Sequence, residues 1–299
     1  MSVSSRFGVR RQSEAATAPS LVKRGRIESG VALRSPPHSI VMSSILYERR
    51  DQIAIIRLNR PDKLNALSAK IILALSDIFT NIDSQPNLRA IILTGTGDKA
   101  FCAGTDITEL TGLDEVHARE ASERGQALCN QIESCGVPVI AAVNGIAAGG
   151  GCELALACHL RVASASAQFS LPEASLGILP AYGGTQHLAR QIGNGRALEM
   201  MLTGKAVSSE EALRFGLVNR IAPPLELLPQ AESLALEIAL LAPLAIRACL
   251  EAVTRGTQLP LTEGLALEAK LFASLFATED VREGTRAFLE KRPPVFKGQ

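Results

Sequence analysis

The amino-acid sequence predicts an α/β fold that ends in a purely helical region. Strand, loop and helix patterns alternate through the first two-thirds of the 299 residues, as they do in α/β proteins. From about residue 225 the patterns are helical only, and Leu and Phe are frequent there. Such a region needs a surface that buries its apolar side chains, so we expect it to pack onto the body of the chain or onto another subunit.

Residues 1–42 are rich in Ser, Arg and Pro and have no sustained apolar period. They contain seven Lys/Arg and two Asp/Glu, a net charge of +5, so the remainder of this +1 chain carries −4. Without a continuous apolar stretch the segment is not a secretory signal. We interpret it as a disordered basic tail, or as the product of a start codon upstream of Met42. An organellar transit peptide is the alternative, which two acidic residues and Pro36-Pro37 disfavour.

The first elements of the body follow from short-range patterns. Residues 47–57 are predicted to form a strand because β-branched residues alternate in Ile53-Ala54-Ile55-Ile56. Ser68 has the position of an N-cap for a helix to about residue 83. A buried strand over 89–94, a glycine-punctuated loop over 95–104 and a polar helix over about 113–134 come next.

The following elements alternate in the same way. We predict a buried strand over 137–143, a glycine run, a helix over about 150–159, and strands near 160–164 and 167–170. The chain beyond them is mostly helical. The predicted parts are a disordered extension over 1–42, a core over 43–224 and a helical oligomerisation region over 225–299.

Two local signals mark helix ends in the later part of the chain. Ser208 and Glu211 have the spacing of a capping box at the start of a helix. Pro293-Pro294 is expected to end the final helix, because proline cannot continue the helical hydrogen bonding.

The composition excludes several classes of function. Apolar residues make up 46% and charged residues 20%, as in ordinary globular proteins. No apolar run reaches the roughly 18 residues of a membrane span. The absence of Trp, the two Tyr and the −4 body make nucleic-acid binding unfavourable. We therefore expect neither a nucleic acid nor a membrane as partner.

The six Cys and four His form no motif for a metal or a nucleophile. No Cys pair has C-x-x-C spacing, no His cluster completes a zinc site, and Gly-x-Ser-x-Gly is absent. We interpret the cysteines as buried reduced thiols, which suits a reducing compartment. The prediction is a cytoplasmic protein without a metal, or a mitochondrial matrix protein if residues 1–42 are a transit peptide.

A glycine-rich loop from Asn144 to Glu153 follows a predicted buried strand and opens a helix. Its three consecutive glycines, at 149–151, let a ligand approach backbone N–H groups with no Cβ in the way. These groups lie at the positive end of the helix dipole and suit a developing negative charge. A phosphate-binding loop is excluded because Gly151 stands where Lys is required. A purely structural turn remains the alternative.

A second glycine loop begins with Gly95-Thr96-Gly97 after another predicted strand. It resembles a dinucleotide-binding fingerprint, but another turn follows it instead of a helix, and no acidic residue closes a second strand. We interpret residues 101–106 as a second place where the backbone approaches a ligand closely.

Two glutamates lie beside these turns in otherwise apolar sequence. Glu153 is in the first turn of an apolar helix, and Glu173 follows Pro172 just after a predicted strand. Most glutamates are solvated surface residues. Burial would raise the pKa of this pair and mutual repulsion would split the two values, which suits acid/base catalysis.

Five segments together resemble the enoyl-CoA hydratase/isomerase (crotonase) family, most of all its hydratases, from about residue 46 to the C-terminus. They are LNRPDKLNAL at 58–67, AFCAGTDI at 100–107, PVIAAVNGIAAGGGCELA at 138–155, FSLPEASLG at 169–177 and GGTQHL at 183–188. The resemblance implies a spiral of ββα turns with a helical C-terminal trimerisation region, and a homotrimer or a dimer of trimers.

The resemblance also implies the roles of the site residues. By position, the backbone N–H groups of Thr105 and Gly150 form an oxyanion hole for the thioester carbonyl. Glu153 matches the base toward water and Glu173 the acid that supplies the α-proton. Substrate and coenzyme A contacts are implied at Lys63, Ala103, Thr105, Asp106, Ile107, Gly149, Gly150, Pro172, Ala181, Tyr182 and Lys297.

Two positions depart from the pattern of the family. Hydratases often have Ile-Pro-Gly where this chain has Leu179-Pro180-Ala181, followed by Tyr182, in a loop that lies beside the catalytic water. Thr108 stands where they often have Lys, which weakens one expected coenzyme contact.

The sequence therefore predicts an enoyl-CoA hydratase that adds water to a trans-2-enoyl-CoA with syn geometry. Coenzyme A is part of the substrate, and no separate cofactor is expected. Three alternatives remain: a Δ3-Δ2 enoyl-CoA isomerase, a hydratase of a branched or dicarboxylic enoyl-CoA, and a non-catalytic acyl-CoA- or RNA-binding protein that retains the fold.

Overall fold

Two sheets carry the first two-thirds of the structure, a computed structural model that describes residues 39–42 and 44–299. The strands, in chain order, are β1 (Ser39–Met42), β2 (Ile45–Arg50), β3 (Ile53–Leu58), β4 (Ala90–Gly95), β5 (Ala100–Cys102), β6 (Val139–Val143), β7 (Ile146–Ala148), β8 (Leu160–Ser164), β9 (Gln168–Ser170), β10 (Val207–Ser208) and β11 (Arg220–Ala222). The α-helices, in chain order, are α1 (Ala69–Thr80), α2 (Glu115–Glu133), α3 (Gly150–Ala157), α4 (Gly184–Ile192), α5 (Asn194–Thr203), α6 (Ser209–Phe215), α7 (Leu227–Ala239), α8 (Pro243–Gly256), α9 (Leu261–Leu275) and α10 (Glu279–Glu290).

The order of the strands reveals a repeating unit. The larger sheet has the order β1-β2-β3-β4-β6-β8-β11, antiparallel up to β3 and parallel beyond, and the smaller sheet has the order β10-β9-β7-β5. The units β4-β5-α2, β6-β7-α3 and β8-β9-α4 each give one strand to each sheet before their helix. The predicted spiral of ββα turns is thereby confirmed.

The larger sheet buries both faces, as its apolar strands require. Along β3, Ala54 and Ile56 join the main core, whereas Ile53 and Ile55 join a second cluster on the opposite face. Helix α7 covers this second face with four buried residues, Leu227, Ala231, Leu234 and Ala235. The first helix of the predicted C-terminal region is therefore part of the core.

Helices α8 and α9 contain no buried residue, unlike α7. Large apolar side chains stand exposed on α8, α9 and α10, among them Val253, Phe272 and Phe288. In the described residues, no single helix is long and apolar enough to cross a membrane. Among the described residues, one pair of helices, 224–239 and 243–256, passes that test jointly, with a bend of 107° between its members.

Several predicted boundaries shift in the structure. The single strand expected over 47–57 is a hairpin, β2 and β3, because Asp51 adopts a positive φ and reverses the chain. Ser68 caps α1 as predicted, but the helix ends at Thr80. The final helix ends at Glu290, before Pro293-Pro294, since Lys291 takes the left-handed conformation.

The extension predicted over 1–42 is contradicted at its last four residues. Ser39–Met42 form β1, whose backbone pairs in antiparallel register with β2. The rest of the predicted extension lies outside the described residues. At the other end of the core, the capping box of Ser208 and Glu211 is present as predicted.

Candidate active site

The glycine-rich loop turns the chain from β7 into α3 at Gly149. Gly149 has φ +50, and its N–H donates to the Ser170 carbonyl of β9 over 3.0 Å. A Cβ at this position would lie 2.9 Å from Glu173 Oε1, so only glycine combines this backbone conformation with this approach. The turn thus brings the Glu173 carboxyl group to the start of α3.

The two predicted oxyanion donors lie side by side. A Cβ built on Gly104 would lie 3.6 Å from the Gly150 nitrogen, and one built on Gly150 would lie 3.2 Å from Thr105 Oγ1. In the described part of the chain, neither the Thr105 nor the Gly150 N–H donates to a protein acceptor. Gly150 is the first residue of α3, so its N–H also lies at the positive end of the helix dipole.

Backbone and side-chain hydrogen bonds fix the loop that carries Thr105. Leu67 bridges it on both sides, since the Leu67 N–H donates to Gly104 over 2.8 Å and the Leu67 carbonyl accepts from Asp106 over 2.7 Å. Asn65 and Asn144 reach the loop from two other elements and both donate to the Ala100 carbonyl, over 2.8 and 3.1 Å. The position of the Thr105 amide is therefore set by contacts distant in sequence.

Glu153 is buried in the first turn of α3, with 2% of its surface exposed. Its Oε1 accepts hydrogen bonds from the Tyr182 and Gly184 N–H groups, each 2.7 Å long. Burial raises its pKa to about 7; the two amides oppose this rise, and the charge of Glu173 adds to it. Glu153 can therefore change protonation state near neutral pH.

Glu173 begins a 3-10 turn after β9 and is 8% exposed. Burial raises its pKa above the usual range. Its Oε2 is buried and has no hydrogen-bond partner among the described residues. Since buried polar atoms are nearly always satisfied, this oxygen is available to a water molecule or a substrate.

Tyr182 forms a wall of the site with its ring. The ring is 7% exposed and packs so closely on α2 that a Cβ on Gly125 would lie 2.0 Å from Tyr182 Cδ1. Its hydroxyl group accepts from Thr105 Oγ1 over 3.0 Å. The preceding carbonyl, of Ala181, accepts from Ser122 and Gln126 of α2 over 2.8 and 3.0 Å. The departure from the family pattern at 181–182 is thus anchored in the structure.

Three of the other predicted contact residues, Ala103, Asp106 and Pro172, lie in or next to the segments that carry Thr105 and Glu173. Ala103 donates to the Leu64 carbonyl next to the Thr105 loop, and Pro172 directly precedes Glu173. The Asp106 carboxylate bonds to Thr108 and to Arg60, which together lower its pKa. The Asp106 side chain therefore forms hydrogen bonds with neighbouring residues of the protein.

Ile107 and Lys63 are exposed near the same loops, Ile107 directly beyond Asp106 and Lys63 in the 3-10 turn Pro61–Lys63. Lys297 is exposed near the C-terminus, where its N–H donates to Asp280 over 2.8 Å. This bond places the backbone of Lys297 against α10.

The predictions missed the part that α2 plays in the site. Ser122, Gly125 and Gln126 hold the Tyr182 loop, whereas the sequence predicted only a polar helix there. Gly125 was the available signal, since glycine inside a helix costs about 1 kcal/mol relative to alanine and implies a packing reason.

Two buried carboxyl groups beside a pair of unpaired backbone amides define a site for acid/base chemistry on a substrate carbonyl. A family model described as enoyl-CoA hydratase/isomerase matches residues 48–299. A crotonyl-CoA hydratase of Syntrophomonas wolfei is 42% identical over 253 residues, covering 85% of this chain and 97% of that protein. A short-chain-enoyl-CoA hydratase of Clostridium acetobutylicum is 39% identical and covers 84% and 96%.

Solved structures agree with these relatives. An enoyl-CoA hydratase from Bacillus anthracis superposes with a TM-score of 0.83 at 42% identity, covering 86% of this chain and 100% of that chain. The chain therefore belongs to the enoyl-CoA hydratase/isomerase family, and the resemblance inferred from its motifs is confirmed.

Proposed function

We propose that this chain is an enoyl-CoA hydratase, which adds water to a trans-2-enoyl-CoA and yields a 3-hydroxyacyl-CoA. The observation that carries the proposal is the pairing of two buried glutamates, both with raised pKa, beside the unpaired amides of Thr105 and Gly150. The relatives named as hydratases support the same reaction.

Each group then has a defined task. The thioester carbonyl accepts from the Thr105 and Gly150 amides, which stabilise the enolate-like state by an amount typically equivalent to about 10²–10³ in rate per donor. Glu153 takes a proton from water while the oxygen of that water forms a bond to the β-carbon. Glu173 gives a proton to the α-carbon on the same face, which is syn addition.

The isomerase alternative differs in what it requires of the carboxyl groups. Moving a double bond transfers one proton between two carbons, and a single carboxyl group can carry it. Water addition needs one group to accept a proton and a second to supply one. The burial of both Glu153 and Glu173 favours the hydratase.

The test is an assay of crotonyl-CoA that follows loss of the absorbance of the conjugated thioester. We expect hydration by the wild type and a decrease of about 10²–10⁴ in kcat for Glu153→Gln or Glu173→Gln. A protein that shifts the double bond of a 3-enoyl-CoA without adding water is an isomerase. Acyl-CoA or RNA binding that both variants retain, without turnover in the wild type, indicates a binding protein.

We also propose a homotrimer or a dimer of trimers. The exposed apolar faces of α8, α9 and α10 support an interface there, because such surfaces are rarely left contiguous in monomers. The native mass should be a threefold or sixfold multiple of that of the 31.7 kDa chain. A monomeric mass at micromolar concentration would contradict the proposal.

A reducing compartment is proposed as well, the cytoplasm or the mitochondrial matrix. All six cysteines lie among the described residues and are free thiols, and five of them are buried. Cell fractionation, together with the intact mass of the native protein, tests the compartment and the fate of residues 1–42. No cofactor beyond the substrate is proposed, and dialysis against a chelator should leave the activity unchanged.

A further inference from the structure

A small cavity of about 130 Å³ opens beside the Thr105 loop. Its lining includes Thr105, Tyr182, Leu110, Leu113 and residues of α1 and α2. Because Thr105 is a proposed oxyanion donor, an acyl group whose carbonyl lies at this amide has its chain directed into or past this cavity.

The Tyr182 ring separates this cavity from a much larger space. A cleft of about 1260 Å³ lies between the core and α8, and Tyr182 lines the cleft and the cavity alike. The ring cannot move easily, since it packs on Gly125 and bonds to Thr105 Oγ1, and Ser122 and Gln126 hold the preceding carbonyl. It is a fixed partition between the two spaces.

We propose that Tyr182 is a specificity-determining residue that confines the acyl group to short chains of about four to six carbons. The cavity, at about 130 Å³, is slightly smaller than the roughly 150 Å³ that admits benzene, a molecule of six carbons. The proposal rests on the proposed function and names the substrate class for it. Polar and charged side chains line part of the cavity, namely Glu109, His117, Glu120 and Arg124. A longer apolar chain would have to desolvate them.

Helix α2 forms a second, polar boundary of the cavity. Arg124 Nε is buried without a partner among the described residues, so the cavity cannot be extended past α2 without burying further polar surface. Tyr182 is the residue that lines both the cavity and the cleft. We expect removal of its ring to open the cavity toward the cleft, whereas the Tyr182 N–H still donates to Glu153.

The experiment compares wild type, Tyr182→Ala and Tyr182→Phe with trans-2-enoyl-CoA substrates of 4, 8 and 12 carbons. Wild type should lose at least tenfold in kcat/KM from 4 to 8 carbons, and Tyr182→Phe should keep this ratio because it keeps the ring. Tyr182→Ala should raise the 8-to-4-carbon ratio by about 10-fold or more, given about fourfold per buried methylene.

Binding of saturated acyl-CoA esters by calorimetry gives the same comparison without turnover. If wild type binds only short acyl chains and Tyr182→Ala binds longer ones, the inference is supported. This holds even if crotonyl-CoA is not hydrated, a result that would contradict the proposed function but not the role of Tyr182. Equal use of 4- and 12-carbon chains by wild type overturns the inference and leaves the hydratase intact. Tyr182→Leu is a less disruptive variant than Tyr182→Ala. If both variants fold and keep the 8-to-4-carbon ratio of kcat/KM of wild type, the inference is also overturned.

Discussion

Replacing Glu153 with glutamine separates the charge of this side chain from its packing. Glutamine keeps one carbonyl oxygen, which can accept from the Tyr182 and Gly184 amides as Glu153 Oε1 does over 2.7 Å. It loses only the ability to ionise. Any effect that depends on pH and disappears in Glu153→Gln therefore reports the buried charge.

The magnitude follows from the pKa of Glu153, which burial raises from 4.5 to about 7. The folded protein then binds this proton more tightly than the unfolded chain, so the free energy of unfolding falls as pH rises from about 4.5 to about 7. At about 1.4 kcal/mol per pKa unit, ionised Glu153 destabilises the fold by about 3 kcal/mol above pH 7. Below pH 4.5 this destabilisation is absent.

Urea denaturation at pH 5 and pH 8, at one protomer concentration, measures the effect. The free energy of unfolding of Glu153→Gln relative to wild type should increase by about 2–3 kcal/mol between the two pH values. The same comparison for Glu199→Gln, an exposed residue of α5, should give no change. A Glu153→Gln difference that is equal at pH 5 and pH 8 would refute the inferred pKa and its origin in burial.

Three further substitutions test other parts of the structure. Arg161→Met removes a buried guanidinium that donates to four backbone carbonyls. We therefore expect urea denaturation to show a free energy of unfolding lower by about 3 kcal/mol or more. A free energy of unfolding equal to that of wild type would contradict this. Asn144→Ala releases the loop before Thr105, so it should lower the free energy of unfolding by about 2 kcal/mol and reduce kcat for crotonyl-CoA. An unchanged kcat would show that the position of this loop does not affect catalysis. Lys63→Ala should raise KM about three- to tenfold, less so in high salt, with little change in kcat; Lys70→Ala, an exposed control on α1, should leave KM unchanged.

Local patterns predicted the elements whose signals lie within a few residues. Ser68 and the Ser208–Glu211 capping box mark helix starts because their hydrogen bonds close within one turn. The three-residue strands β5 and β7 were not predicted. Each exists because its neighbours in the smaller sheet pair with it, and β7 even lies in the glycine run.

In the site, too, the sequence predicted contacts between neighbouring residues but not contacts between distant segments. Glu153 and Gly150 lie in one contiguous motif, so the sequence alone placed the proposed acid/base group next to the proposed amide donor. The contacts of Tyr182 with Ser122 and Gln126 span more than 50 positions of the chain. No periodicity in a polar helix indicates such a contact, which depends on how successive turns of the spiral stack.

Tyr182 contributes to both the proposed acid/base chemistry and the proposed acyl preference, through different atoms. Its backbone N–H helps to hold Glu153 Oε1, and its ring closes the cavity beside Thr105. Since the backbone bond is independent of the side chain, we expect that acyl preference can change at this position while Glu153, the proposed general base, stays oriented. The conformation at 181–182 is held by α2, through the Ala181 carbonyl. Chain-length preference can therefore vary here without loss of the hydration chemistry.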